Sequence, residues 1–414
     1  MKIGLLSEKY TPDIGGLAIS TERLACLLSS AGHEVSVFCP RPNLLPSEKR
    51  TFPSSGIRVT RFGAHKRVDD MLVDWFELIM DEHKHEPFDL LHAYFLTRAG
   101  FVAAYTGKYL GIPSVVSIRG NDIERAAFDP SRFSHTMYAL QNASAVTANA
   151  TELVKKAKAF IDREIILIPN GVDAEHFKPM EKNSVLEEAL GLSKNVILSR
   201  EAAKNPSLGT RDSSVAPKGL PQSDIAPIIG FVGELREKKG LKTLLSAYSL
   251  VNKKIPAALL IVGEVRPSED RQAFDEFRLA TPDSNIIVTG YVSPKDLPVY
   301  YSLIDVFVHP SLRDGMPNAV LEAMACEKLV IATPTGGVPD LLRDGVNGML
   351  VQINDVNGLA EKIIEVLDQP EKRQQLGRSA REVVLSQYTL ENELQANLKV
   401  YQSLGVKNES SHRT

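Results

Sequence analysis

The sequence predicts two α/β units, each a mostly parallel sheet covered by helices on both faces, set to either side of a central cleft. Three observations predict it. Short apolar runs of strand length alternate with stretches of helical spacing through the first half of the chain. The same rhythm restarts near Ile228. A stretch of different, polar composition lies between the two. Strands that alternate with helices pair in parallel and bury both faces. At 414 residues the chain is long enough for two such units, since a domain takes roughly 100–200.

In the first half the strand runs are Ile3–Leu6, Val35–Phe38, Leu90–Ala93, Val115–Ile118, Ala145–Ala148 and Ile165–Ile168. Leu17, Leu24, Leu27 and Leu28 recur at helical spacing, and Gly32 ends that helix. In the second half the strand runs are Ile228–Val232, Ala258–Val262, Ile286–Thr289, Val306–Val308 and Val330–Ala332, with a helical pattern from about 355 to 403. The expected division is a first domain over 1–179 and a linker with a polar insertion over 180–226. A second domain comes next over 227–387, then a helix over 388–404 packing back toward the first domain. Within the linker, 185–192 has helical character, 199–222 reads as flexible, and the polar tail over 405–414 should fray.

The bulk numbers exclude several classes. Hydrophobic residues are 43% and charged residues 24%, and the net charge is −3. That is the composition of a globular domain and gives no general footing for nucleic acid. The basic runs Lys49-Arg50 and His65-Lys66-Arg67 read as solvated surface. Cys26, Cys39 and Cys326 are scattered, with no metal spacing, which fits a reducing compartment. No apolar stretch approaches the roughly 18 residues of a spanning helix. The expectation is a cytoplasmic protein, with peripheral membrane contact left open.

Ligands of open parallel sheets sit beyond the carboxyl ends of the strands, and four segments there carry chemistry. The strongest runs from Val306 to Ala325. A buried strand ends near His309, a glycine loop succeeds it, and Pro317 stands where a first helical turn would begin. Amides near Asn318 and Ala319 then offer an anion site at a helix N-terminus. Asp314 precedes that helix and Glu322 lies about one turn inside it. Two carboxylates so placed suit vicinal hydroxyls of a ribose or hexose, although Asp314 as a cap and Glu322 as a solvated residue explain them equally well. The second segment, Ile229 to Gly240, puts a glycine at a strand end and Lys239 just before a helix. A lysine there neutralises a departing phosphate, or else the turn is merely solvated. The third, Asp13-Ile-Gly-Gly16, places Gly15 and Gly16 before a helix, and alone it is a weak signal. In the fourth, Ser117-Ile-Arg-Gly-Asn-Asp122, polar side chains should reach the cleft, with an Arg119 ion pair as the plain alternative.

Together these segments resemble the retaining glycosyltransferases of family 4, and the resemblance implies the two-Rossmann GT-B fold. It spans nearly the whole chain outside the insertion. It includes Gly15-Gly16, Gly32-His33-Glu34-Val35, Ile168-Pro-Asn-Gly-Val-Asp173, Gly233 to Gly240, Thr289-Gly-Tyr291, Pro310 to Ala325 and Gly336-Gly337. The family signature, two acidic residues separated by seven, falls on Asp314 and Glu322. The resemblance implies that Glu322 binds the donor ribose. Asp314, with Gly315, Met316, Pro317, Asn318 and Ala319, touches the transferred sugar and the diphosphate. Lys239 holds the leaving diphosphate, and Gly15 and Gly16 meet the donor phosphates. Asn121 and Asp122 are expected on the acceptor side.

Three departures from the family bear on this expectation. Asp314 stands where glutamate is usual. Glu234 takes the donor-side position usually held by arginine. Arg119 stands where histidine is frequent. Arg119 is therefore expected to restore the positive charge lost at Glu234, by a salt bridge or by touching phosphate. The implied reaction moves a hexose from a nucleotide-diphosphate sugar, as co-substrate, to a carbohydrate, lipid-linked or small-molecule acceptor. It needs no cofactor and no metal, and domain closure excludes water. Two rivals stand beside it: a phosphorylase of the same fold, and a partner subunit that has lost donor binding.

Overall fold

The computed structural model describes residues 1–13, 15–126, 128–192 and 226–406, apart from the side chains of residues 121, 125 and 126. The expected flexible insertion at 199–222 lies outside the described residues, as do 407–414 of the tail. The chain divides into two compact units. One holds Met1–Gly171, Asp314–Asn318 and Tyr388–Thr414; the other holds Val172–Arg313 and Ala319–Gln387.

The first unit is built on an eight-stranded sheet. Its strands are β1 (Lys2–Leu6), β2 (Glu34–Pro40), β3 (Lys49–Ser54), β4 (Ile57–Phe62), β5 (Leu90–Ala93), β6 (Ser114–Ile118), β7 (Ala145–Ala148) and β8 (Ile166–Leu167). The order is β3-β4-β2-β1-β5-β6-β7-β8, parallel except for β3. Helices α1 (Gly16–Ser30), α2 (Val68–His85), α3 (Arg98–Leu110), α4 (Asn121–Ala126), α5 (Pro130–Asn142) and α6 (Thr151–Lys158) join the strands. Two cores form, one on each face. One is centred on Trp75, Leu91, Val116 and Leu140. The other is centred on Ile3, Leu5, Leu24 and Val37, and is completed by Leu394, Leu398 and Tyr401 of a C-terminal helix.

The β3–β4 hairpin was not predicted. Its turn, Ser55-Gly56, has φ of 51° and 77°, the left-handed pair that a two-residue hairpin requires. β3 is exposed along nearly its whole length. Pro53 is tolerated there because an edge strand can spare an amide. Lys49, read from sequence as plain surface, forms ion pairs with Asp81 and Glu82 of α2.

In the second unit, α7 (Ser184–Ala189) precedes a six-stranded sheet. Its strands are β9 (Ile228–Val232), β10 (Ala258–Val262), β11 (Asn285–Val288), β12 (Val306–His309), β13 (Leu329–Ala332) and β14 (Met349–Leu350). The order β11-β10-β9-β12-β13-β14 is wholly parallel. It is the doubly wound order whose switch point falls between β9 and β12. The helices are α8 (Leu241–Lys254), α9 (Glu269–Ala280), α10 (Leu297–Leu303), α11 (Asn318–Ala325), α12 (Val338–Leu341), α13 (Val356–Leu367) and α14 (Pro370–Gln387). α15 (Leu390–Ser403) belongs with the first unit.

The first unit ends at Gly171 rather than at 179. Residues beyond it pack into the second unit, where the Arg381 guanidinium donates to the carbonyls of Ala174, Phe177 and Ala325. Gly405 and Val406, expected to fray, are held in place: their amides donate to Gln402 and Tyr401 carbonyls, and Val406 is buried. Among the described residues, no helix is long and apolar enough to cross a membrane.

Candidate functional site

In the second unit, the loops after β9 and β12 meet at the switch point. After β9, the chain makes a short 3₁₀ turn, Glu237–Lys239, closed by Gly240 at φ 81°. A Cβ on Gly240 would stand 2.0 Å from the Pro310 carbonyl oxygen. Only glycine allows both the dihedral and the approach. Two hydrogen bonds knit the loops together: the Leu312 amide donates to the Lys238 carbonyl at 2.9 Å, and the Ser311 hydroxyl does so at 3.2 Å. Lys239 is half-buried in this turn. The structure therefore brings Lys239 to the loop that leads into α11.

Glu322 lies on α11, half-buried. Tyr301 of α10, with its side chain fully buried, donates its hydroxyl to Glu322 Oε2 at 2.8 Å and to the Ala319 carbonyl at 3.1 Å. Burial, reinforced by the Glu322 charge, holds the Tyr301 pKa far above its ordinary value. Tyr301 is thus a permanent donor that sets the carboxylate. Sequence reading missed Tyr301, because no local spacing ties it to Glu322 across 21 residues. Pro317 precedes α11, which begins at Asn318, and so stands before the first turn rather than within it.

Residues 314–318 cluster with the first unit. Asp314 Oδ1 accepts from the Gly315 amide at 2.9 Å. A Cβ on Gly315 would meet the Arg119 carbonyl oxygen at 2.5 Å, so the loop lies directly on the Arg119–Gly120 backbone. Asn170 fastens the rest of this loop. Its side-chain amide donates to the Met316 carbonyl at 3.1 Å and to Asn318 Oδ1 at 2.9 Å. Asn170 was legible in the sequence only as part of the Ile168–Asp173 motif.

Arg119 was expected to replace the charge lost at Glu234, and the structure gives it partners in its own unit. Its side chain is 7% exposed and its nearest acid is Glu393, at 3.9 Å. The guanidinium carbon lies 4.1 Å from the centroid of the Tyr94 ring. One Nη donates to Asn170 Oδ1 at 2.5 Å. Glu234 is paired instead with Arg236, two residues along the same loop, at 3.1 Å. Each charge takes a partner within its own unit. A guanidinium buried this deeply needs a carboxylate and acceptors of its own.

Asp122 corrects an expectation. It was expected on the acceptor side, yet it is 2% exposed. Its carboxylate accepts from the amides of Leu96, Arg119, Gly120 and Ile123. Burial raises its pKa against the pull of those four amides. Asp122 ties the end of β6 to the end of β5 and has no oxygen to spare for a substrate. The Asn121 side chain lies outside the described residues. Gly15 has φ 132° and Gly16 opens α1; a Cβ at either would meet no atom within 4 Å. Among the described residues, no group of three or more His, Cys, Asp or Glu side chains could hold a metal ion.

Two family models match this arrangement. The model for glycosyl transferases group 1 matches residues 216–383. The model for Glycosyltransferase Family 4 matches residues 14–176. The chain belongs to the group 1 glycosyltransferases. The family 4 match falls mostly in the first unit of this glycosyltransferase and the group 1 match mostly in the second. An uncharacterised glycosyltransferase of Methanocaldococcus jannaschii is 23% identical over 404 residues, which cover 98% of this chain and 99% of the relative. Sucrose-phosphate synthase from Thermosynechococcus elongatus superposes with a TM-score of 0.76 at 21% identity, over 98% of this chain and 99% of that one. HepE from Anabaena, solved in complex with UDP, superposes with a TM-score of 0.73 at 17% identity, over 97% and 100%. These likenesses show the fold: the glycosyltransferase has the two-Rossmann GT-B architecture.

Proposed function

We propose that this glycosyltransferase moves a hexosyl group from a nucleoside-diphosphate sugar to an acceptor hydroxyl, with retention at the anomeric carbon and without a metal ion. The carrying observation is the Glu322 carboxylate, held by the buried Tyr301 hydroxyl on the helix that comes after the switch-point loop. An ionised carboxylate offers about four acceptor sites, enough to take vicinal hydroxyls, the pattern a ribose presents, beside the tyrosine that orients it. Lys239, in the turn knitted to the same loop, supplies a compact positive charge for the diphosphate. The amino end of α11 adds oriented amides. The UDP held by HepE supports a nucleoside diphosphate as the donor's head.

In the proposed reaction the bond from the anomeric carbon to the diphosphate oxygen breaks, and the bond to the acceptor oxygen forms on the same face. The acceptor's proton passes to the departing diphosphate oxygen, so no side-chain base is needed. Lys239 stabilises the charge that grows on the leaving group. The acceptor is a carbohydrate, lipid-linked or small-molecule hydroxyl.

The test is a thermal-shift screen against UDP, GDP, ADP and their hexose conjugates, with Glu322→Ala in parallel. One base should raise the melting temperature of the native protein. The variant should lose that shift. An equal shift in the variant would remove Glu322 from the ribose site.

A further inference from the structure

Glu393 lies in the first turn of α15, with its side chain 1% exposed. Nothing in the proposed reaction uses it. Yet it gathers polar partners from four separate segments. Arg23 of α1 donates through Nε at 2.8 Å and Nη2 at 3.3 Å. The Tyr94 hydroxyl, just past β5, donates at 3.2 Å. The Gly171 amide donates at 2.8 Å. The Arg119 guanidinium stands 3.9 Å away. A buried carboxylate is tolerated only when donors surround it, and here they do.

Two of those partners lead to the 314–318 loop. Arg119 donates to Asn170 Oδ1, and Gly171 is the next residue after Asn170. Asn170 in turn donates to the Met316 carbonyl and to Asn318 Oδ1. With its oxygen engaged by Arg119, the amide has its nitrogen directed at that loop. The backbone agrees with the side chains. A Cβ on Gly171 would stand 2.5 Å from the Thr389 carbonyl oxygen, so the Asn170–Gly171 turn is pressed against the start of α15. That start is itself fixed by a capping box between Thr389 and Asn392. All these residues belong to the first unit.

We infer that Glu393 is a positioning residue: from the C-terminal helix it holds Arg119 and the Asn170–Gly171 turn, and through Asn170 it sets the loop at Met316–Asn318. The functional meaning of that loop rests on the proposed donor site. The physical coupling does not. Arg119 accordingly orients Asn170. Helix α15, distant in sequence from the signature carboxylates, is thereby part of what shapes their loop.

The coupling is tested on the ligand-free full chain by hydrogen–deuterium exchange with mass spectrometry, so the outcome does not depend on any donor. Glu393→Gln keeps the shape of the side chain and removes its charge. Exchange should rise roughly tenfold or more in peptides spanning 168–173 and 314–320, as expected when a charged acceptor is lost. Peptides of α8 and α13 should stay at the native rate. Asn170→Ala, which leaves α15 intact, should loosen 314–320 while 390–403 is unchanged. The inference is overturned if Glu393→Gln loosens only 168–173 and 390–403. It is also overturned if Asn170→Ala leaves 314–320 at the native rate. A protein that binds none of the nucleotides in the screen, yet shows the coupled loosening, would sink the donor site and keep the positioning role.

Discussion

At the scale of single residues, Tyr301 and Lys239 separate binding from chemistry. The Tyr301 hydroxyl donates to Glu322 and to the Ala319 carbonyl from a fully buried position. Tyr301→Phe removes both bonds without changing the packing volume much. The one hydroxyl proton is shared between the two acceptors, and losing it costs about 1–3 kcal/mol where a charged or buried acceptor is left behind. The carboxylate then swings, and affinity for the nucleotide should fall roughly tenfold with little change in kcat. Calorimetric titration with the nucleotide chosen by the melting screen measures it; undiminished affinity would show that Glu322 holds its place without the tyrosine. Lys239→Ala should do the opposite. A charge that meets the leaving diphosphate acts mostly in the transition state, so kcat should drop roughly a hundredfold or more while KM moves less. A change in KM alone would make Lys239 a ground-state ligand only.

At the scale of elements, the contact between the 237–240 turn and the loop after β12 admits no side chain at Gly240. Gly240→Ala places a methyl against the Pro310 carbonyl, at a φ of 81° that alanine resists. The two loops must part. A melting temperature lower by several degrees is expected, together with weaker nucleotide binding. Retention of both would mean that the loops move independently. The same elements show what sequence can reveal. The parallel strands were legible because burial on both faces makes them short unbroken apolar runs, as in Ile228–Val232 and Ala258–Val262. The β3–β4 hairpin was not, because an exposed edge strand carries Lys49 and Arg50 like any surface loop. Glu322 and Lys239 could be singled out because their loops come after strand ends in a recognisable order. Tyr301 and Glu393 escaped notice, and Asn170 was seen only as part of a motif without a role, because their partners are remote in sequence. Asp122 was misread for a related reason. A polar residue after a strand looks like a ligand until the loop is seen to fold its amides around the carboxylate.

At the scale of the molecule, the first unit carries a built-in sensitivity to acid. His92 is wholly buried at the centre of its sheet, between the Tyr401 hydroxyl and the Ser117 hydroxyl, each at 2.7 Å. Burial, with the Arg119 charge added, lowers its pKa to about 3. The unfolded chain would titrate His92 near its ordinary 6.5. Above 6.5 neither state holds the proton and the group is neutral to stability. Below 6.5 the unfolded state takes up a proton that the folded state refuses. Stability therefore falls as pH drops from about 6.5 toward 3, by up to about 1.4 kcal/mol per pH unit from this one group. Asp122 acts in the other sense, since its folded pKa is raised and acid relieves its burial. A variant is needed to isolate the histidine. His92→Gln keeps hydrogen-bonding groups in the pocket but cannot titrate. The lone tryptophan, Trp75, is buried in the same unit, so its fluorescence reports the unfolding of this unit. Urea melts followed by Trp75 should show the variant less stable than the native protein at pH 7. That gap should narrow steadily as pH falls through 6 and 5, because only the native protein is losing the His92 contribution. A gap that stays constant with pH would mean that His92 takes its proton in the folded state. The Tyr401–His92–Ser117 chain would then have to accommodate a charge, and α15 with it.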